Sequence, residues 1–183
     1  MRFVPTRIEG VTIVELDVRR DERGGFARTF CEAEFAAAGH PFRVVQANLS
    51  FNTAARTLRG LHFQREPHGE PKIVSCLRGR IFDVAVDIRP DSPTYLRWEA
   101  AELSPGAGRM FCLGKGIAHG FLTLEPDSEV HYLMGADYEA GAADGLRWDD
   151  PALGISWPAG PAIISERDQA HSLIGDRGDI PRI

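Results

Sequence analysis

From residue 11 to residue 136, strand-forming runs follow one another too closely for anything but stacked or closed sheets. Val11 to Val18 alternates apolar and polar side chains, the period of a strand with one buried face. Val44–Phe51, Thr57–Gln64, Lys72–Leu77, Arg80–Asp87 and Tyr95–Leu103 follow, separated by Pro67-His68-Gly69, Arg78-Gly79 and Pro90-Asp91-Ser92-Pro93. Gly108–Leu113, His119–Leu124 and Glu129–Ala136 complete the series. Short strands with Gly/Pro punctuation argue for an all-β sandwich or barrel. The one helical candidate of any length is Thr29–Ala38, with Gly39 placed as its C-terminal cap. After Asp137 the pattern weakens, and Gly141, Gly145, Pro151, Pro158 and Pro161 predict loops and short helices wrapped around the barrel. No repeat or linker interrupts the chain, so residues 1–183 are expected to form a single domain.

The formal net charge of -5 offers no field for a nucleic-acid partner. An anionic ligand would need Arg and Lys gathered locally against that field. Cys31, Cys76 and Cys112 form no CxxC pair and no zinc spacing; they read as buried free thiols, which suits a reducing compartment. Met1–Gly10 has no apolar segment behind it, and no stretch approaches the roughly 20 apolar residues a membrane helix needs. The expectation is a soluble, cytoplasmic protein without a membrane partner.

Three polar clusters interrupt strands that otherwise read as core. In Arg59-Gly60-Leu61-His62-Phe63-Gln64, strict alternation cannot put Arg59 and His62 on one face, but a bulge at Gly60 would re-aim them. The same residues would also suit a surface strand edge. Lys72 opens an apolar strand shortly after His68 and Glu70; alone, it reads equally as a solvated lysine. In Gly114-Lys115-Gly116-Ile117-Ala118-His119-Gly120-Phe121, two glycines make a tight turn that delivers His119 to a barrel mouth, unless it is simply a partnered core histidine. Polar residues pointing into the mouth of a barrel line a ligand cavity.

Leu113–Phe121 resembles the second motif of the cupin superfamily. The first motif would supply His-x-His and a glutamate, whereas this chain has His62-Phe63-Gln64. An amide thus replaces the second ligand, and His68 and Glu70 remain as possible donors.

The ordered set of motifs is more specific. Asp21-Glu22-Arg23-Gly24 with Phe26 and Phe30, Gln46 with Asn48, Arg59–Gln64, Lys72, Phe82–Arg89 with Ser92-Pro93, Gly116–Leu122, Tyr132, Tyr138, Trp148–Pro151 and Ser165–Asp168 resemble the dTDP-4-dehydrorhamnose 3,5-epimerase family along nearly the whole chain. The resemblance implies a homodimer of cupin-type jelly-roll β-barrels with a few short peripheral helices. It implies a nucleotide-linked 4-keto-6-deoxy hexose as substrate, inverted at C3 and C5, without cofactor or metal. His62 resembles the catalytic base, Asp168 its orienting carboxylate, Lys72 the holder of the enolate oxygen and Tyr132 the acid on the opposite face. Phe26, Gln46, Asn48, Arg59, His119, Tyr138 and Arg167 resemble substrate contacts, and Arg23 a phosphate-binding arginine that reaches the neighbouring subunit's site.

The chemistry agrees independently. A C–H beside a ketone is acidic because its carbanion delocalises onto oxygen, and an imidazole of unperturbed pKa about 6.5 suits taking that proton. A cation aimed at the developing enolate supplies the electrostatic stabilisation that is usually largest. A phenol can donate a proton and hold a transient charge.

Several positions depart from the family pattern. Arg28 stands where a glutamate associated with thymine recognition is usual, Ala47 where an Asp is common, Ala143 where a ligand-contacting glutamate is expected, and Arg167 where Lys is usual. Asp144 is a candidate to compensate for Ala143. A carboxylate accepts hydrogen bonds from a base N–H and a guanidinium only donates, so these changes raise a CDP- or GDP-linked substrate as an alternative. The residues also leave room for a single-site epimerase, a cupin sugar-binding protein without turnover and a metal-dependent cupin enzyme. Intact His62, Lys72, Tyr132 and Asp168 speak against a pure binder.

Overall fold

The computed structural model describes residues 1–177; residues 178–183 of the expected 1–183 domain lie outside the described residues. In chain order the strands are β1 (Arg2–Pro5), β2 (Val11–Glu15), β3 (Arg19–Asp21), β4 (Gly24–Phe26), β5 (Gln46–Asn52), β6 (Thr57–Gln64) and β7 (Lys72–Arg78). They continue with β8 (Ile81–Asp87), β9 (Trp98–Leu103), β10 (Arg109–Leu113), β11 (Ile117–Thr123), β12 (Ser128–Met134), β13 (Ala143–Gly145) and β14 (Ile163–Ile164). Helix α1 (Glu32–Ala37) follows β4, and α2 (Glu166–Gln169) follows β14.

One sheet has the order β1-β2-β10-β7-β12-β5; the other runs β13-β6-β11-β8-β9, with β14 added parallel to β6. The β3–β4 hairpin forms a small sheet of its own, exposed on every residue. The core forms where the inner faces meet: Val11, Val74, Phe111, Leu113 and Val130 pack with Ile81, Ala85, Ile117 and Phe121. Each such side chain removed from water contributes roughly 2 kcal/mol. Outside the second sheet, Leu61, Phe63, Val84 and Val86 are covered by Leu146, Leu153 and Ile174 of the C-terminal wrap. Outside the first, Phe35 of α1 packs on Val14, Ile73, Met110 and Cys112. This is the expected all-β jelly roll.

The expected strands fall on β2 and on β5 to β12, with trimmed ends. The helix is shorter than Thr29–Ala38: Cys31 is extended and leads into it without a side-chain cap, while Gly39, at φ +83°, closes its C-terminus as expected. Strand β9 begins at Trp98 rather than Tyr95 because Asp87 pins the preceding loop. Its carboxylate accepts hydrogen bonds from Arg89 Nε at 2.9 Å, Ser92 Oγ at 2.5 Å and Thr94 Oγ1 at 2.6 Å, and the chain turns again between Ser92 and Arg97. Of the cysteines, Cys76 and Cys112 are buried as expected and Cys31 is only partly so. Burial pushes the Cys112 thiol up to about 12 and Cys76 to about 11. Among the described residues no helix is long and apolar enough to cross a membrane.

Burial opposes ionisation of Asp87, but its hydrogen bonds to Arg89, Ser92 and Thr94 prevail and hold the carboxyl at about 2. A carboxylate depressed on folding contributes stability above its unfolded pKa, lost as pH falls through the folded one. Asp87→Asn is therefore expected to cost about 2 kcal/mol at pH 7 and to remove much of the stability loss between pH 4 and pH 2. Urea denaturation of both proteins across that range measures it.

Candidate active site

Strand β6 positions the site through an irregularity. His62 pairs with His119 of β11 and Arg59 with Phe121, so Gly60 and Leu61 together oppose Gly120 alone. The extra residue is the bulge expected at Gly60, and it turns Arg59 and His62, three positions apart, onto the same face. Gly60 adopts φ +122°, and a Cβ there would lie 2.5 Å from the Gly120 Cα; one on Gly120 would lie 2.8 Å from the Arg59 carbonyl oxygen. Only glycine fits either place.

The same bulge ties His62 to a carboxylate. Asp168, buried on α2, accepts the backbone N–H of Gly60 on Oδ2 at 3.1 Å, and its Oδ1 lies 2.7 Å from His62 Nε2. With Nε2–H donated to that oxygen, Nδ1 remains as the free basic nitrogen. Ser165 caps α2 by accepting the Asp168 N–H at 3.1 Å, which fixes the carboxylate from below. Burial disfavours the Asp168 carboxylate, but the hydrogen bonds from His62 and Gly60 outweigh it and keep the carboxyl below its ordinary value.

A cavity of about 350 Å³ opens above His62. Lys72 and Tyr132 enter it from the other sheet, on the inner faces of β7 and β12. Lys72 is not a solvated lysine: it is 4% exposed and its Nζ donates to Glu70 Oε1 at 2.6 Å. Burial raises the Tyr132 phenol above its ordinary value, and the nearby Asp83 carboxylate adds to the shift. His119 is both a partnered core histidine and a cavity residue: its Nε2 lies 2.7 Å from Asp83 Oδ1, and its ring meets Tyr132 edge-to-face at 5.8 Å.

Arg59, Asn48, Tyr138 and Arg167 also line the cavity. The Arg59 guanidinium is braced by Asn52 Oδ1 at 2.8 Å and the Phe51 carbonyl at 3.3 Å. Gln46 shares the inward parity of Asn48 on β5 but lies beyond the lining. Arg23 and Phe26 are not brought here; they sit on the β3–β4 hairpin, Phe26 76% exposed, with Arg23 Nη2 on Asp21 at 2.5 Å. Arg28 is held by Glu34 Oε1 at 2.6 Å. Ala143 lines the cavity, but Asp144 beside it is spent on Arg65 at 2.9 Å and Arg177 at 2.7 Å. Ala47 lies on the outward parity of β5.

Gln64, where a second cupin ligand would stand, uses its amide to tie loops: it donates to the His68 and Asp137 carbonyls and accepts the Glu139 N–H. His68 is exposed and Glu70 is engaged by Lys72. Among the described residues no three His, Cys, Asp or Glu converge as metal ligands. A larger cleft of about 680 Å³, lined by Arg7, Tyr95, Arg97 and Glu99 among others, contains no histidine, lysine or cysteine.

Sequence reasoning missed the roles of Asp83, Glu70 and Ser165 as partners of His119, Lys72 and Asp168. Asp83 had a signal: an acid on the inward parity of an otherwise apolar strand, Ile81-Phe82-Asp83-Val84-Ala85-Val86.

A jelly-roll barrel with a histidine–carboxylate pair on one sheet and a lysine and tyrosine facing it from the other is the architecture of a cupin-type enzyme. Residues 5–176 match the family model described as dTDP-4-dehydrorhamnose 3,5-epimerase. A protein of that name from Methanothermobacter thermautotrophicus is 45% identical over 172 residues, covering 92% of this chain and 91% of the relative. A dTDP-4-dehydrorhamnose 3-epimerase from Streptomyces niveus is 39% identical over 180 residues, 98% of this chain and 86% of the relative. The structure of a dTDP-6-deoxy-D-glucose-3,5-epimerase from Legionella pneumophila in complex with dTDP-4-keto-L-rhamnose superposes with a TM-score of 0.91 at 35% identity, covering 100% of this chain and 98% of that one. The chain belongs to the dTDP-4-dehydrorhamnose 3,5-epimerase family and is an isomerase.

Gly60→Ala is expected to destabilise the fold by about 3 kcal/mol, through both the positive φ and the collision with Gly120. Chemical denaturation measures the loss; a change below 1 kcal/mol, about the median for any substitution, would mean that the bulge relaxes freely.

Proposed function

We propose that this chain epimerises a dTDP-linked 4-keto-6-deoxy hexose at the carbons flanking its ketone. The observation that carries the reading is the opposition of His62–Asp168 on one sheet to Lys72 and Tyr132 on the other, across one cavity. His62 Nδ1 takes the proton from the carbon beside C4, and Asp168 stabilises the imidazolium that forms. The electron pair moves onto the ketone oxygen, where the Lys72 ammonium meets it in a water-poor wall. Tyr132, across the ring from His62, returns a proton to the opposite face and so inverts the carbon. Its raised phenol keeps the proton until a carbanion demands it.

Named relatives acting on dTDP sugars support thymidine as the nucleoside. Arg28, the departure that raised CDP and GDP, is already neutralised by Glu34 on its own chain. The Streptomyces niveus 3-epimerase is nearly as similar as the 3,5-epimerases, and this favours a second reading in which one carbon alone is inverted.

The protein works as a homodimer in this reading. Leu49 and Phe51 on the edge strand β5 are 42% and 64% exposed, with Val45 just before the strand at 42% and Leu77 of the same sheet at 51%. A second copy would cover this apolar strip. The exposed β3–β4 hairpin would then carry Arg23 and Phe26 to the partner's cavity, giving the phosphates a guanidinium and the base an aromatic face.

Proton NMR in deuterated water with dTDP-4-keto-6-deoxyglucose tests the reaction: deuterium enters at C3 and C5 for a double epimerase and at one carbon for the second reading. No exchange would refute both. His62→Ala is expected to lower exchange at least about 100-fold with the fold intact. Titration should rank dTDP above CDP and GDP. Sedimentation should give a dimer that Leu49→Asp with Phe51→Asp converts to monomer; a monomeric parent protein would refute the assembly.

A further inference from the structure

Inversion at two carbons has a proton problem that inversion at one does not. After the first, His62 carries the proton it removed and Tyr132 has lost the one it gave. The second cannot begin until both are restored, while the bound sugar still covers the cavity. His119 adjoins both. It is the cross-strand partner of His62, and its ring contacts that of Tyr132 at 5.8 Å. Its other nitrogen is fixed on Asp83 at 2.7 Å, both residues being buried. Asp83 is fully buried, with its Oδ2 lacking a hydrogen-bond partner; burial raises its carboxyl, and His119 and then Lys72 oppose that rise. A buried carboxylate with one oxygen unused is expensive, and stabilising a charged imidazole beside it is a reason to keep one.

We infer that the His119–Asp83 pair carries the proton from His62 back to Tyr132 between the two inversions. His119 Nδ1–H gives its proton to the Tyr132 phenolate oxygen, leaving the imidazole neutral and hydrogen-bonded to Asp83 through Nε2–H. The freed Nδ1 lone pair then takes the proton from His62 Nδ1, which returns to its basic form. One N–H bond breaks and one O–H forms in the first transfer, one N–H is exchanged for another in the second, and the pair ends as it began. His119 is thus more than a substrate contact, and Asp83 is its positioning residue. The inference rests on the epimerase reading above.

The test counts labels per binding event. In deuterated water, at a few per cent conversion, the wild-type protein should release sugar labelled at both carbons with little singly labelled species. His119→Gln should slow the second exchange about 100-fold more than the first, the scale of one lost acid–base group, so singly labelled sugar accumulates in solution. Asp83→Asn should do the same more weakly, without a comparable change in KM. Loss of both exchanges in equal proportion would assign His119 to binding or folding and overturn the inference. So would wild-type protein that already releases the singly labelled sugar, a result that needs no variant. Wild-type exchange at one carbon only would remove the second proton demand and the inference with it, leaving the epimerase reading intact. No wild-type exchange at all would refute that reading instead.

Discussion

The candidate site is arranged by the backbone contact between Gly60 and Gly120. Two strands approach there without side chains between them, and the extra residue this permits in β6 sets the direction of all that precedes and follows it. Without it, regular alternation would point either Arg59 or His62 into the outer layer. The contact also presents the Gly60 N–H to Asp168, so the carboxylate that orients the base is held by the irregularity that aims it. One local departure from sheet geometry therefore sets the direction and the partner of His62.

The second constraint is electrostatic. The cavity wall holds charges in pairs rather than singly: His62 with Asp168, His119 with Asp83, Lys72 with Glu70. Isolated, each charge would be costly to bury and would tend to neutralise; paired, they stay in place with the geometry that hydrogen bonds impose. The pairing lets a chain of net charge -5 present a lysine and arginines to an anionic substrate. It also explains why Asp144 does not replace the carboxylate missing at Ala143, since Arg65 and Arg177 already claim it.

Much of this was legible in the sequence because the relevant signals are local. Alternation marked the long strands, and the mismatch between positions 59 and 62 pointed to the bulge. Strands β1, β3 and β4 escaped because three- and four-residue strands with Pro5, Gly24 and Gly25 carry no periodicity to read. Strands β13 and β14 are shorter still and exist only because β6 offers its edge. Glu70 and Asp83 were missed as partners for a different reason. Their importance lies in what they face, and facing is a property of the closed barrel rather than of either segment. The positions of Arg23 and Phe26 relative to the cavity likewise follow from the path of an exposed hairpin, which no residue pattern encodes.

The base and its carboxylate are separated by 106 positions in the chain. Strands β7 to β14 all lie between them, and α2 packs on β6 from the far end of the chain. Contacts of such sequence separation are closed late and slowly. A growing or half-folded chain thus carries an exposed histidine but no dyad, and reactivity toward a ketone arrives only with the last part of the fold. Acid–base competence in this barrel is a report on the completeness of folding, not a property that any fragment possesses in advance.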